Sequence, residues 1–338
     1  MRNRTLGLVV ASFVLAAGAS ACGAPPSASS EESVGETSEA VLNGTPVGSD
    51  RLGSVMLWQC GSGAASCCSS GAASCSTSSS GFKGGCSGTM IADKWLLTAG
   101  HCANTTESTS GGGTALPASQ LVTISGDRAS MASGDHVYLH PSLDVALVHL
   151  TGSITNAAGA AFSTPIYQGT SASLIGRNVY CQGYGVSDAA STLSTYGMLR
   201  SATLNVNNAI TGWMALTENS SSQLLSPGDS GTGCFLYAPT VRKTAPFPII
   251  LFNSVVGVQS LEFPNSDNVV GADGFASWAD SVMSCAAQSA TCGTVTDPAG
   301  NTVSCGACST GSVCLQNHCL WIIPIHLNDE GAEASRAE

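Results

Sequence analysis

Short apolar runs alternating with clusters of small polar residues are the feature that most limits how this chain can fold. Between residues 41 and 286, runs such as 55–58, 145–150 and 255–259 are separated by clusters of Gly, Ser, Asn and Asp. Helical periodicity is absent until residues 277–288. An all-β body of about 245 residues is therefore predicted, as one barrel or sandwich or as two small barrels packed together.

The N-terminus has the features of an export signal. Arg2 and Arg4 precede an apolar stretch, and small residues follow it directly before Cys22. We expect residues 1–21 to be a signal peptide. The sequence Ala-Ser-Ala-Cys-Gly resembles the cleavage box of bacterial lipoproteins, so we expect Cys22 to be lipidated and to anchor the protein in a membrane. An ordinary cleaved signal is the alternative.

Cysteine content agrees with export. In an oxidising compartment the 15 cysteines should pair, and the odd total leaves one for another role, such as lipidation of Cys22. Residues 22–40 contain almost no bulky apolar side chain and are predicted to be a tether and pro-segment. The expected location is extracytoplasmic, as an outer-membrane lipoprotein or a secreted protein.

Six cysteines crowd into residues 285–319, where there are too few apolar groups for a core. Disulfide bonds are expected to stabilise a module over residues 289–320, and residues 321–338 to form an acidic tail. The Cys-Gly-Ala-Cys step at 305–308 lacks a second pair at zinc-site spacing, so no metal is expected there.

Charge and hydropathy exclude two further classes of protein. Acidic residues outnumber basic ones by 22 to 11, which argues against a nucleic-acid partner. The only long apolar run is N-terminal, which excludes a membrane protein with several spans.

Three segments carry a histidine, an aspartate and a serine in that order. His101 lies in Leu-Thr-Ala-Gly-His-Cys, Asp144 opens the run Asp-Val-Ala-Leu-Val-His-Leu, and Ser230 lies in Gly-Asp-Ser-Gly. Singly, each has an ordinary explanation as a core residue, a cap or a turn. Together they supply what acyl transfer needs: a nucleophilic oxygen, an imidazole that takes its proton and a carboxylate that orients the imidazole.

These segments and their order resemble the trypsin- and chymotrypsin-like serine proteases over residues 41 to about 288. The resemblance implies two packed antiparallel six-stranded β-barrels, about 41–160 and about 161–288, with a C-terminal helix. It also implies a protein or peptide substrate. No cofactor is implied, because the protein itself supplies every reacting group.

By this resemblance Ser230 is the nucleophile, His101 the general acid and base, and Asp144 the orienting carboxylate. The backbone N–H groups of Gly228 and Ser230 would form the oxyanion hole. Ser260 matches a family serine near the triad aspartate that also binds substrate backbone, although an ordinary strand serine is the alternative.

The resemblance extends to activation. Val-Leu-Asn-Gly-Thr from Val41 resembles the family's mature start, so cleavage after Ala40 would free an ammonium group to pair with Asp229. A turn cap is the alternative role for Asp229. The small residue before the cut predicts another activating protease, or self-cleavage with a preference for small residues. The pro-segment beyond Cys22 has no cysteine to retain it, so activation would release the catalytic domain from its anchor.

Two disulfide bonds are also implied by the resemblance: Cys86 with Cys102, and Cys181 with Cys234, the latter pair slightly displaced from the family's usual positions. Four further cysteines lie in an insertion, and their three pairings stay open. A stapled surface loop is expected there, and an exosite is the alternative. The four are Cys60, Cys67, Cys68 and Cys75.

Specificity departs from the trypsin pattern. Leu224 aligns with the pocket-floor aspartate of trypsins, which predicts an apolar floor. Glu262 stands where glycine usually admits large side chains, and a weaker alignment brings Asp267 to the same pocket. We expect a preference for a small or apolar side chain, with a basic one held by Glu262 as the alternative.

The whole pattern predicts an exported serine endopeptidase made as a zymogen. The alternative is a catalytically silent homologue that binds a partner on the cell surface, although such homologues usually lose a triad residue or the oxyanion glycine. The tail is a further candidate for polysaccharide binding, but it has no clear aromatic platform beyond Trp321.

Overall fold

The structure is a computed structural model. Several predictions concern residues outside the described part of the structure: the signal peptide, lipidation at Cys22, the tether and most of the acidic tail. The structure describes residues 41, 43–47, 52–159, 161–162, 164–185, 197–236, 254–263, 266–296, 302–305, 307–308, 312–315 and 317–321.

Strands dominate the described residues, as the short apolar runs predict. In chain order the strands are β1 (Thr45–Pro46), β2 (Ser54–Cys60), β3 (Phe82–Ala92), β4 (Trp95–Thr98), β5 (Leu121–Ser125), β6 (Met131–Leu139), β7 (Ala146–Leu150), β8 (Asn178–Gly183), β9 (Arg200–Ile210), β10 (Trp213–Thr217), β11 (Gly233–Phe235), β12 (Val255–Phe263), β13 (Ser266–Gly271), β14 (Thr294–Thr296), β15 (Thr302–Ser304), β16 (Ser312–Leu315) and β17 (His318–Trp321).

The six strands from β2 to β7 form a closed antiparallel barrel in the order β2-β3-β4-β7-β6-β5. β2 pairs with β5 and closes the barrel. Every residue of β4 and of β5 is buried, because one face points into the barrel and the other is covered. Leu57, Leu97 and Leu147 belong to the interior and are fully buried.

The second barrel has the order β9-β10-β13-β12-β11-β8, and β8 pairs with β9 to close it. β1 pairs with the start of β9, before the stretch of β9 that pairs with β10. Leu204, Val256 and Val269 lie in its fully buried core. Two six-stranded antiparallel barrels confirm the predicted fold class and settle the choice between one barrel and two.

A single α-helix in the described residues, α1 (Ala272–Ala287), follows directly after β13. The sequence periodicity predicts its start at residue 277, but the helix begins earlier. Asp273 in its first turn explains the difference: this carboxylate accepts hydrogen bonds from Ser171 N, at 2.8 Å, and from Gly212 N, at 3.0 Å. Phe275 is fully buried in a core cluster that includes residues of both barrels, such as Leu97 of β4 and Val258 of β12.

Disulfide bonds stabilise the segments that have little core of their own. In the insertion, two loops with the repeated sequence Gly-Ala-Ala-Ser-Cys are each closed by a bond, and their cysteines are buried. Two small hairpins, β14–β15 and β16–β17, follow α1. Six bonds lie wholly within the described residues: Cys60 with Cys67, Cys68 with Cys75, Cys86 with Cys102, Cys181 with Cys234, Cys285 with Cys305, and Cys292 with Cys314.

Such a density of disulfide bonds is typical of extracellular and secreted proteins. Cys308 is disulfide-bonded as well. No helix among the described residues is both long and apolar enough to cross a membrane.

Candidate active site

His101 and Asp144 meet because the strands next to them are paired. β4 ends three residues before His101, and β7 begins just after Asp144. The two strands are antiparallel, with Thr98 opposite Ala146, so the end of one lies beside the start of the other. His101 Nδ1 lies 2.7 Å from Asp144 Oδ2, and the backbone N–H of His101 donates to Oδ1 at 2.7 Å.

The Asp144 carboxylate is completely buried, while 17% of the His101 side chain is exposed. Ser260 Oγ, from β12 of the second barrel, donates to Asp144 Oδ2 at 2.6 Å. Buried ionised groups need such donors, because each unpaired one carries a large desolvation cost. With Nδ1 donating to the carboxylate, Nε2 of a neutral His101 is left as the basic nitrogen.

Ser230 is brought beside this pair by its backbone. Its carbonyl oxygen accepts a hydrogen bond from Ser87 N, at 2.8 Å, and lies 3.7 Å from Cys102 Sγ, next to His101 in the sequence. Within the described part of the chain, Ser230 Oγ makes no hydrogen bond to His101. In enzymes that use a serine and a histidine together, this contact is often long without substrate and tightens when substrate binds.

The turn around Ser230 depends on glycines. Gly228 has φ +90° and Gly231 has φ +85°, conformations that residues with a Cβ rarely adopt. A Cβ at Gly231 would also collide with Thr98 Oγ1 and with the carbonyl oxygen of Ser87. Among the described residues, the N–H groups of Gly228 and Ser230 donate to no protein acceptor.

Asp229, between those two amides in the sequence, is completely buried and heavily bonded. Its Oδ2 lies 2.7 Å from Val41 N and 3.1 Å from Ser226 N, and its Oδ1 accepts from Gly185 N at 2.9 Å. Burial raises the pKa of Asp229 above its ordinary value, and these hydrogen bonds oppose the rise. Val41 N is an amide here, since Ala40 precedes it, so the structure brings the two residues together without a free terminus.

The pocket residues from the sequence are only partly described. Leu224 is half-buried, and the side chain of Glu262 lies outside the described part. Asp267 lies opposite Glu262 across β12 and β13, is 1% exposed, and accepts a hydrogen bond from Leu225 N at 2.9 Å. The pKa of the Asp267 carboxyl is raised to about 7: burial raises it most, the charge of nearby Asp229 also raises it, and the hydrogen bond from Leu225 partly opposes the rise.

Ser87 is a site residue that sequence reasoning missed. Besides the bond from its N–H to Ser230, its Oγ donates to the carbonyl oxygen of Gly228 at 3.1 Å and accepts from Tyr184 N at 2.9 Å. Ser87 is fully buried in β3, so it links the first barrel to the turn around Ser230 in the second. The only feature of the sequence that could have pointed to Ser87 is its position directly after Cys86.

Comparison with known proteins agrees with the fold. The chain's fold matches 754 solved chains, among them an inactivated protease paralogue of the scabies mite, SMIPP-S-D1. That match has a TM-score of 0.51 at 12% sequence identity and covers 72% of this chain and 97% of the mite protein, a likeness of fold alone. No curated protein matches this chain significantly. The trypsin family model matches residues 66–269, more than half of the chain, and the chain therefore belongs to the trypsin family.

Proposed function

We propose that this chain is an exported serine endopeptidase that cleaves peptide bonds through Ser230, His101 and Asp144. The main support is the buried Asp144 carboxylate, which bonds both Nδ1 and the backbone N–H of His101 beside the Ser230 turn. Membership of the trypsin family supports the same reaction class.

In the proposed reaction Ser230 Oγ attacks the scissile carbonyl carbon as His101 Nε2 takes its proton. Asp144 stabilises the imidazolium, and the N–H groups of Gly228 and Ser230 stabilise the oxyanion. His101 then gives the proton to the leaving amine, which leaves an acyl group on Ser230. Water, activated by the same imidazole, hydrolyses this acyl-enzyme.

We further propose activation by cleavage after Ala40. The ammonium of Val41 would then pair with the buried carboxylate of Asp229. Val41 N and Asp229 Oδ2 already lie 2.7 Å apart. Another protease, or the enzyme itself, would make this cut. The catalytic domain would span residues 41–288, with the module 289–320 behind it.

A small or apolar side chain before the scissile bond is the proposed preference, because Leu224 brings no charge to the pocket floor.

Two separate proposals concern the ends of the chain. The first is lipidation at Cys22, with release of the catalytic domain on activation, and the second is polysaccharide binding by the tail. Mature protein that begins at Val41 but stays in membranes would contradict the release. If the isolated tail is not retained on insoluble polysaccharides, the proposal that the tail binds polysaccharide is wrong.

Hydrolysis of a peptide library by protein that begins at Val41 tests the activity. We expect cleavage after small or apolar residues, and a loss of kcat of at least about 10⁴-fold in Ser230→Ala and in His101→Ala. Ser221→Ala, a change at an exposed serine, is the matched control and should keep full activity.

A silent binding homologue is the second candidate. The fold likeness to an inactivated paralogue of the mite favours it, although this chain keeps the residues named for catalysis. If the folded, Val41-terminated protein hydrolyses no member of the library, the endopeptidase proposal is wrong and the binding role replaces it.

A further inference from the structure

A cluster of two histidines and one aspartate lies on the first barrel, away from the triad. His136 in β6 and His149 in β7 are directly opposite each other in the antiparallel pair. The register shifts between Gly134 and His136, so a bulge turns Asp135 toward both imidazoles. Asp135 Oδ1 lies 2.6 Å from His149 Nδ1 and 3.1 Å from His136 Nδ1.

The three side chains are accessible to a ligand. One potential ligand atom from each lies within 4.8 Å of the others. The His136 side chain is 68% exposed, and those of His149 and Asp135 are 31% and 35% exposed. The triad does not use this cluster: His149 follows Asp144 by five residues, roughly 15 Å along an extended chain.

The cluster forms one wall of a cavity of about 360 Å³. Trp95 and Tyr138 add aromatic surface to that wall, and the ring centroid of Trp95 lies 4.8 Å from that of His149. The other wall is the end of α1 and the segment after it, which leads into the disulfide-rich tail. Its lining residues are Ala286, Ala287, Ser289, Ala290 and Thr291.

We propose that Asp135, His136 and His149 bind a divalent transition-metal ion of the Zn²⁺ class. Imidazole nitrogens with one carboxylate oxygen are a donor set that suits Zn²⁺. Three protein ligands leave a coordination position open toward the cavity, for water or a small ligand. The present hydrogen bonds between the side chains would be exchanged for bonds to the ion, with both imidazoles neutral.

The bound ion would tie β6 to β7 beneath the segment that joins α1 to the tail. The competing explanation is a hydrogen-bonded trio that binds no metal. His101 at the triad is a second imidazole that Zn²⁺ could reach, so the test must separate the two places.

Calorimetric titration with ZnCl₂ of the full-length, EDTA-treated protein and of its histidine variants separates the two places. Ser230→Ala is the parent in this experiment, because it cannot cleave itself. We expect about one ion per chain. In the same background, His136→Asn and His149→Gln should each weaken binding at least roughly 10-fold. His101→Ala should bind as tightly as its parent. Cu²⁺ should quench part of the fluorescence of the chain's five tryptophans, and the part due to Trp95 should be missing in Trp95→Phe.

If the histidine variants do not fold, as judged by circular dichroism, Asp135→Asn keeps both imidazoles and should show the same loss. Zn²⁺ binding that persists in the folded variants overturns the proposal. So does binding that is lost only in His101→Ala, or a folded parent that binds no Zn²⁺.

Discussion

At the scale of single residues, the Asp144 carboxylate organises the site, because it is bonded from both barrels. Ser260→Ala removes the 2.6 Å bond to Oδ2 and leaves His101 as the partner of that buried oxygen. A hydrogen bond to a charged group is worth about 1.5–3 kcal/mol, so we expect kcat/KM to fall roughly 10- to 100-fold. Steady-state kinetics check this, and Ser221→Ala serves as the control. Unchanged kinetics would show that Ser260 is an ordinary strand serine.

A second prediction at the residue scale concerns pH. The pKa of Asp267 is about 7 in the folded protein and 3.8 ordinarily, so the folded state holds a proton that the unfolded chain has already lost between these values. Stability due to this group is therefore present at acid pH and is lost as the pH rises toward 7. Asp267→Asn removes this loss.

The free energy of unfolding of Asp267→Asn, relative to the parent, should therefore rise between pH 4 and pH 8, by up to about 4 kcal/mol. Urea denaturation at several pH values, in the Ser230→Ala background, measures the difference. A difference that does not change with pH would contradict the raised pKa.

Sequence alone could name residues inside motifs but not their outside partners. His101, Asp144 and Ser230 each stand in a segment whose neighbours single them out as candidates for catalysis. Ser87 has no such context, because its role comes from three bonds to residues far away in the chain. The burial of Asp267 likewise depends on the pairing of β12 with β13.

At the scale of elements, the disulfide bond between Cys181 and Cys234 joins neighbouring strands of the second barrel. These residues are directly opposite each other in β8 and β11. The bond encloses a separation of 53 residues, for which the loss of chain entropy in the unfolded state predicts about 4 kcal/mol. The double change to alanine should lower the free energy of unfolding by that order.

Guanidinium denaturation of Cys181→Ala/Cys234→Ala checks this value. The matched comparison is Cys68→Ala/Cys75→Ala, whose bond spans only seven residues and should matter less. A larger loss for the short loop than for the strand pair would contradict the entropic account.

Element boundaries and pairings were predicted unevenly, for a physical reason. Short apolar runs predict strands because a strand is decided locally by alternation and turns. The start of α1 depends instead on Asp273 and its bonds to Ser171 and Gly212, which local periodicity does not contain. The pairing within the insertion depends on turns that close each repeated loop separately.

At the scale of the whole molecule, the candidate site lies where the two barrels touch. Ser260 of one barrel bonds Asp144 of the other, and Ser87 of one bonds the turn of Ser230. Alternation of apolar runs allowed one barrel or two, and only the resemblance of the motifs implied two. The order of the strands and their closure follow from pairings between distant segments.

The proposed function requires Ser230 to be a nucleophile that becomes active when the chain begins at Val41. Reaction with a fluorophosphonate probe, before and after cleavage between Ala40 and Val41, tests this requirement, with N-terminal sequencing of each product. We predict labelling of the cleaved protein alone, and none in Ser230→Ala. Labelling of the intact chain would contradict the activation switch. A verified, folded, Val41-terminated protein that stays unlabelled would contradict the proposed enzyme itself.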